Sequence, residues 1–146
     1  MTKLLRIESS IKGGASVTRM LTDGLVARFV DASVTVRDTQ GIPLIDGAWV
    51  GAAYTPADAR TDDQKAALAL SDTLIAELRD ADVIVIGAPI YNFGVTGPLK
   101  AWIDQICRVG VTFAYTDTGP KGLLADKPVY VAYASGGVPM GSVADF

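Results

Sequence analysis

One stretch of the chain constrains its fold most strongly. Residues 82–98 read Asp-Val-Ile-Val-Ile-Gly-Ala-Pro-Ile-Tyr-Asn-Phe-Gly-Val-Thr-Gly-Pro. The unbroken β-branched run 83–86 is typical of a strand buried on both faces of a parallel sheet. A loop of Gly, Asn and aromatic residues follows, and Pro98 is well placed to start a helix. Because ligands of open α/β sheets bind beyond the carboxyl ends of the strands, we expect a functional site at 90–95.

Composition excludes several classes of protein. The 146 residues are 49% hydrophobic and 20% charged, which predicts one domain, residues 1–146, with a substantial core. A net charge of −3 and scattered basic residues argue against a nucleic-acid partner. No apolar run approaches the roughly 20 residues of a membrane span, and the N-terminus is too charged for a signal peptide, so we predict a cytoplasmic protein. The sequence has no histidine, which excludes serine triads and histidine metal sites.

Apolar spacing predicts three helices. The apolar face of the first consists of Val17, Leu21, Leu25 and Phe29. The second begins with a capping box at 61–64, and its acidic residues Asp62, Asp63, Asp72 and Glu77 are predicted to be a solvated face and not a metal site. The third follows Pro98. The one cysteine, Cys107, continues its apolar face and is predicted to be a buried structural thiol.

The loop at residues 9–18 has the character of a phosphate cradle. Two glycines and four hydroxyl residues lie between a predicted first strand and the first helix. Backbone N–H groups at a helix N-terminus attract anions, and hydroxyls add hydrogen bonds without a fixed cation. The alternative is that Ser16 only caps the helix and the glycines only turn the chain. The loop matches neither the Walker A pattern nor Gly-x-Gly-x-x-Gly.

Three further segments complete the pattern. Residues 41–60 are predicted to be a long loop that packs over the surface or meets a partner subunit. Residues 110–124 form an extended arm that carries Phe113 and Tyr115. A strand at 128–134 then opens into a glycine loop, so that three predicted strands end in loops of small and polar residues. Right-handed parallel winding places these three loops along one edge of the sheet.

These loops and the arm together resemble the FMN-dependent NADH azoreductases, a family of flavodoxin-like quinone reductases. The most specific features are Pro-x-Tyr-Asn-Phe at 89–93 and Gly-x-Thr-Phe-x-Tyr-Thr at 110–116. The resemblance implies an α/β fold, a doubly wound parallel sheet of strand order 2-1-3-4 in a three-layer αβα arrangement. The resemblance implies a fifth strand that this sequence lacks, so we expect a C-terminally truncated domain or a sheet that a partner segment completes, in preference to a natural minimal version of the fold.

The same resemblance implies which residues bind FMN. Those expected at the phosphate are Ser10, Ser16, Val17 and Thr18. Those expected along the ribityl chain and the isoalloxazine edge are Pro89, Ile90, Tyr91, Asn92 and Phe93. Those expected on the pyrimidine side are Ser135, Gly136, Gly137 and Val138. Phe93, Phe113 and Tyr115 are expected to line the substrate slot, with the last two reaching across a homodimer interface.

The function implied is an oxidoreductase. NADH or NADPH would reduce FMN, leave, and be replaced in the same slot by a quinone or azo compound, in a ping-pong sequence that needs no catalytic acid or base and no metal. Two alternatives stay open. A one-electron flavodoxin-type carrier would share the fold, and an interaction module derived from the fold would have lost the cofactor.

Overall fold

A computed structural model describes residues 1–143. The chain forms two compact units. The first contains residues 1–42, 81–100 and those from 127 onward, and the second contains 43–80 and 101–126. The elements in chain order are β1 (Thr2–Glu8), α1 (Val17–Val26), β2 (Ala32–Asp38), α2 (Gly47–Tyr54), α3 (Asp62–Asp80), β3 (Val83–Pro89), α4 (Gly97–Ile106), β4 (Phe113–Thr116), β5 (Gly119–Gly122) and β6 (Val129–Ala134). Short 3₁₀ turns occupy Gly13–Ala15 and Ala57–Ala59.

The first unit is built on a parallel sheet with the strand order β2-β1-β3-β6. All three pairings are parallel, and β3 lies between β1 and β6. Val83, Ile84 and Val85 are buried, as the β-branched run predicts. The predicted order 2-1-3-4 is confirmed, because β6 is the fourth strand of this sheet. The predicted arm is an antiparallel hairpin, β4–β5, in the second unit.

Helix α1 rests on the sheet through a different face from the predicted one. Its buried residues are Thr18 and Thr22, whereas Val17 is 55% exposed and Leu21 is 42% exposed. The prediction was wrong for these two apolar residues, since the surface beneath the helix carries a polar group. Leu25, at the other end of the stripe, does pack against the core.

That polar group is the buried carboxylate of Glu8, which is 1% exposed. Its Oε1 accepts hydrogen bonds from Thr22 Oγ1 at 2.6 Å and from Arg6 Nε. The Arg6 guanidinium also donates to Asp23 Oδ1 at 2.6 Å and to the Arg19 carbonyl at 3.0 Å. Burial lowers the pKa of Arg6, but its hydrogen bonds to Asp23 and Glu8 outweigh that effect, and the net shift is upward. We call Arg6, Glu8, Thr22 and Asp23 the Glu8 network.

In the second unit, the predicted loop 41–60 contains helix α2. Asp46 caps this helix, accepting a hydrogen bond from the Trp49 N–H at 2.8 Å. Trp49 is buried, and its Nε1 donates to Gln105 Oε1 at 2.9 Å. The prediction of a loop was wrong here. Gly47 and Gly51 lower the helix propensity of this segment, but burial of Trp49 outweighs that unfavourable contribution.

Helix α3 begins with the predicted capping box. Thr61 N–H donates to Gln64 Oε1 at 3.1 Å, and Gln64 N–H donates to Thr61 Oγ1 at 3.3 Å. Asp72, on the predicted solvated face, is 61% exposed and pairs with the buried Arg108. Within residues 1–143, no group of three or more His, Cys, Asp or Glu side chains is placed to bind a metal ion. No helix in the same range is long and apolar enough to cross a membrane.

Cys107 is exposed, contrary to the prediction of a buried thiol. Helix α4 ends at Ile106, so Cys107 follows the last helical residue. The helical spacing that relates Trp102 and Ile106 to the apolar face therefore no longer determines where residue 107 points.

The Glu8 network predicts an unequal response to two substitutions. Glu8→Gln should lower the free energy of unfolding by about 3 kcal/mol, because it leaves the largely buried Arg6 without a charged partner at that position. Asp23→Asn, at a carboxylate that is 64% exposed, should cost about 0–1 kcal/mol. Urea unfolding of both variants measures the difference. Equal losses would show that the network does not tie α1 to the sheet.

Candidate cofactor site

Three loops of the first unit line one cavity of about 370 Å³. The lining residues are Ser10, Lys12, Ser16, Val17, Thr18, Pro89, Ile90, Tyr91, Ala134, Ser135 and Gly136. They lie at or just beyond the ends of β1, β3 and β6, which are parallel and end at the same edge of the sheet. The volume lies within the roughly 300–1,000 Å³ range of small-molecule sites.

The N-terminus of α1 forms the polar end of this cavity. Ser16 caps the helix, its Oγ accepting a hydrogen bond from the Arg19 N–H at 3.2 Å. The same Oγ lies 3.0 Å from Thr18 Oγ1, and both side chains are buried, Ser16 at 4% and Thr18 at 1% exposure. The first N–H groups of a helix have no partner within the helix and carry partial positive charge. Hydroxyls and helix N–H groups at the same end of a cavity suit a phosphate group.

Tyr91 connects two of the loops. Its hydroxyl lies 3.3 Å from Ser10 Oγ and accepts a hydrogen bond from the Ile11 N–H at 3.3 Å. Ser10 Oγ in turn accepts from the Lys12 N–H at 3.2 Å. The loop after β3 is therefore held against the loop after β1 by contacts at the serine-rich end of the cavity.

The loop after β3 turns sharply at Asn92 and Phe93. Both residues have positive φ, 50° and 64°, as the central residues of a type I′ turn do. Reciprocal backbone hydrogen bonds between Tyr91 and Gly94, at 3.1 and 3.2 Å, close the turn. A phenylalanine is rarely found at positive φ, and such strain concentrates at binding sites. The turn leaves the Phe93 ring 65% exposed.

The cavity brings together most of the predicted FMN-binding residues. Those that line it are Ser10, Ser16, Val17, Thr18, Pro89, Ile90, Tyr91, Ser135 and Gly136. Asn92, Phe93, Gly137 and Val138 belong to the same loops but are not lining residues. Sequence reasoning missed Lys12, although it stands between the serines of the predicted cradle. A single basic residue in a loop has no periodicity to single it out.

The two aromatic residues of the arm lie in the second unit. Phe113 and Tyr115 make an edge-on contact with ring centroids 5.5 Å apart. Tyr115 is 70% exposed, and Phe113 is partly buried in a pocket of about 240 Å³ that includes Trp49 and Tyr54. The arm thus presents the Tyr115 ring, and part of the Phe113 ring, to its surroundings.

A protein family described as having the flavodoxin-like fold matches residues 2–144. This chain belongs to that family. The flavodoxin-like fold that the resemblance implies is confirmed, and so is the α/β class of its sheet. A solved structure with the same fold is the azoreductase from Bacillus anthracis str. Sterne, with a TM-score of 0.83 and 26% identity. The match covers 94% of this chain and 71% of that one.

Relatives of this flavodoxin-like protein bear the names of quinone reductases. It is 56% identical over 147 residues to FMN-dependent NADH:quinone oxidoreductase 1 of Jannaschia sp. (strain CCS1). That match covers all of this chain and 76% of the relative. A second protein of the same name, from Hahella chejuensis, is 50% identical, with 74% of its length covered. The family resemblance inferred from the motifs is therefore confirmed.

Removing the Ser16 hydroxyl should affect both folding and ligand binding. If this hydroxyl donates to the phosphate of FMN, Ser16→Ala should weaken FMN affinity by about 1.5–3 kcal/mol. Loss of the helix cap should also lower stability by about 1 kcal/mol. Thr61→Ala is the matched control, because it removes the cap of α3 and none of the cavity. Fluorescence titration with FMN and urea unfolding separate the two effects. Unchanged FMN affinity in Ser16→Ala would refute the phosphate assignment.

Proposed function

We propose that this protein is an FMN-dependent oxidoreductase that transfers a hydride from NADH or NADPH to quinones or azo compounds. The observation that carries the proposal is the cavity, where buried hydroxyls at a helix N-terminus meet the loops after β3 and β6. Relatives at 56% and 50% identity carry the name FMN-dependent NADH:quinone oxidoreductase. An azoreductase shares the fold at 26% identity.

The residues present fit FMN. Ser10, Ser16 and Thr18 supply hydroxyls for a phosphate, and the Val17 and Thr18 N–H groups add backbone donors at the start of α1. The loops at 89–93 and 135–138 would hold the ribityl chain and the flavin ring. They are built of backbone amides, small residues and aromatic side chains, which suit a long polar chain ending in a planar ring system.

FMN, when bound, supplies the redox chemistry, and the protein supplies position and hydrogen bonds. Backbone N–H groups of Asn92 and Phe93 are the proposed donors to the flavin edge, and their closed turn would hold them in place. The exposed Phe93 ring would offer a stacking surface to a nicotinamide or an aromatic acceptor. No side-chain acid or base is assigned, which is consistent with a chain that has no histidine.

The proposal extends to organisation. The family match runs from residue 2 to residue 144 and so spans both compact units, which supports a single FMN-binding domain. The exposed aromatic arm supports a homodimer in which Phe113 and Tyr115 of one subunit reach the flavin site of the other. We place the protein in the cytoplasm, where NADH and NADPH are supplied.

The purified protein should be yellow and should turn over by a ping-pong mechanism. Bound FMN gives visible absorption bands that no polypeptide has. NADH should bleach these bands without an acceptor, and a quinone added afterwards should restore them. A colourless protein that does not take up added FMN would favour the cofactor-free interaction module. Bound FMN that NADH fails to reduce would favour the electron carrier.

The arm should determine the oligomeric state. Tyr115 is 70% exposed and Phe113 is partly exposed, and a large apolar side chain gains up to roughly 1.5–3 kcal/mol on full burial, so a dimer that covers them is favoured. Light scattering should give a dimeric mass for the wild type and a monomeric mass for Phe113→Ser with Tyr115→Ser. Val30→Ser, at a residue that is 90% exposed, is the control and should remain dimeric. A monomeric wild type, or a double variant that stays dimeric with unchanged turnover, would refute the interface.

A further inference from the structure

We propose that Lys12 supplies a positive charge to the phosphate of FMN and makes FMN binding sensitive to salt. This inference rests on the proposed function, since it concerns the same cavity. It adds a charged group to a cradle that sequence reasoning assigned to hydroxyls and amides alone.

The position of Lys12 supports this role. Lys12 lines the cavity together with Ser10 and Ser16. Its N–H donates to Ser10 Oγ at 3.2 Å, and its carbonyl accepts from the Ala15 N–H at 3.1 Å, so its backbone is held on both sides. Lys12 therefore lies in a held loop between Ser10 and Ser16, two of the proposed phosphate ligands.

Charge makes Lys12 distinctive among the lining residues. In the part of the chain that the structure describes, Lys12 is the one charged residue among those that line this cavity, and it is exposed. No ion pair joins it to a carboxylate of residues 1–143. A phosphate monoester carries about −1.5 to −2 charges at neutral pH. Neutral hydroxyls and amides leave much of that charge uncompensated, and the ammonium group of Lys12 would offset part of it.

The cavity also indicates which phosphate Lys12 meets. NADH carries a pyrophosphate, whereas FMN carries a terminal phosphomonoester. Lys12 is adjacent to the N-terminus of α1, where Ser16 and Thr18 are buried. Buried hydroxyls and helix N–H groups at one end of a cavity suit a terminal phosphate, which favours the phosphate of FMN.

The test compares FMN with riboflavin, which lacks the phosphate. Lys12→Gln should weaken FMN binding about 3- to 10-fold, the size of a partly screened ion pair with a divalent anion, and leave riboflavin binding unchanged. Lys12→Arg should retain most of the FMN affinity. Raising the salt concentration should weaken FMN binding to the wild type more steeply than to Lys12→Gln. Fluorescence titration of the apoprotein gives all of these affinities.

Lys65→Gln is the matched control, because it removes one exposed positive charge that pairs with Asp62 on α3. It should leave FMN affinity unchanged. Equal FMN affinity and equal salt dependence in the wild type and Lys12→Gln would overturn the inference. A higher KM for NADH without a change in FMN affinity would also overturn it and assign Lys12 to the dinucleotide. Failure of the wild type to bind FMN at all would instead overturn the proposed function.

Discussion

The buried carboxylate of Glu8 is the constraint on which the first unit depends. A charge removed from water must be paired and hydrogen-bonded, and Arg6 and Thr22 meet that need from β1 and α1. Glu8 Oε2 makes no hydrogen bond within the described residues and lies 3.9 Å from Arg19 Nε. Gly87 on β3 completes the arrangement, since a Cβ there would approach Glu8 Oε2 to 3.1 Å. Helix α1, the Glu8 carboxylate and strand β3 therefore pack closely against one another.

The position of the cavity follows from that arrangement. The helix held by Glu8 is the one whose N-terminus carries Ser16 and Thr18, and Glu8 itself is the last residue of β1, directly before the loop that begins the cradle. The loops after β3 and β6 reach the same edge because all the strands are parallel. The buried Glu8 thus fixes the position of α1 and of the Ser16 and Thr18 hydroxyls at its start. Parallel strand pairing brings the loops after β3 and β6 to the same place.

The composition of the cavity suits a cofactor that performs the chemistry itself. Hydroxyls, amides, a lysine and aromatic residues can hold and orient a phosphorylated flavin, and none of them needs to exchange protons with a substrate. The strained turn at Asn92 and Phe93 is consistent with a protein that positions a cofactor, because the turn fixes the direction of backbone groups and of one exposed ring.

Local patterns in the sequence determined much of this protein. The β-branched run of β3, the capping box of α3, the three loops after parallel strands and the motif at 89–93 all follow from residues close together in the chain. Tertiary structure decided the rest. Spacing predicts an apolar face for α1, but Val17 and Leu21 stay exposed because Glu8, from another element, occupies the surface below. Gly47 and Gly51 argue against α2, which forms because Trp49 is buried and bonded to Gln105, 56 residues later. Lys12 joins the site through the fold, since a single flexible side chain leaves no periodic signal.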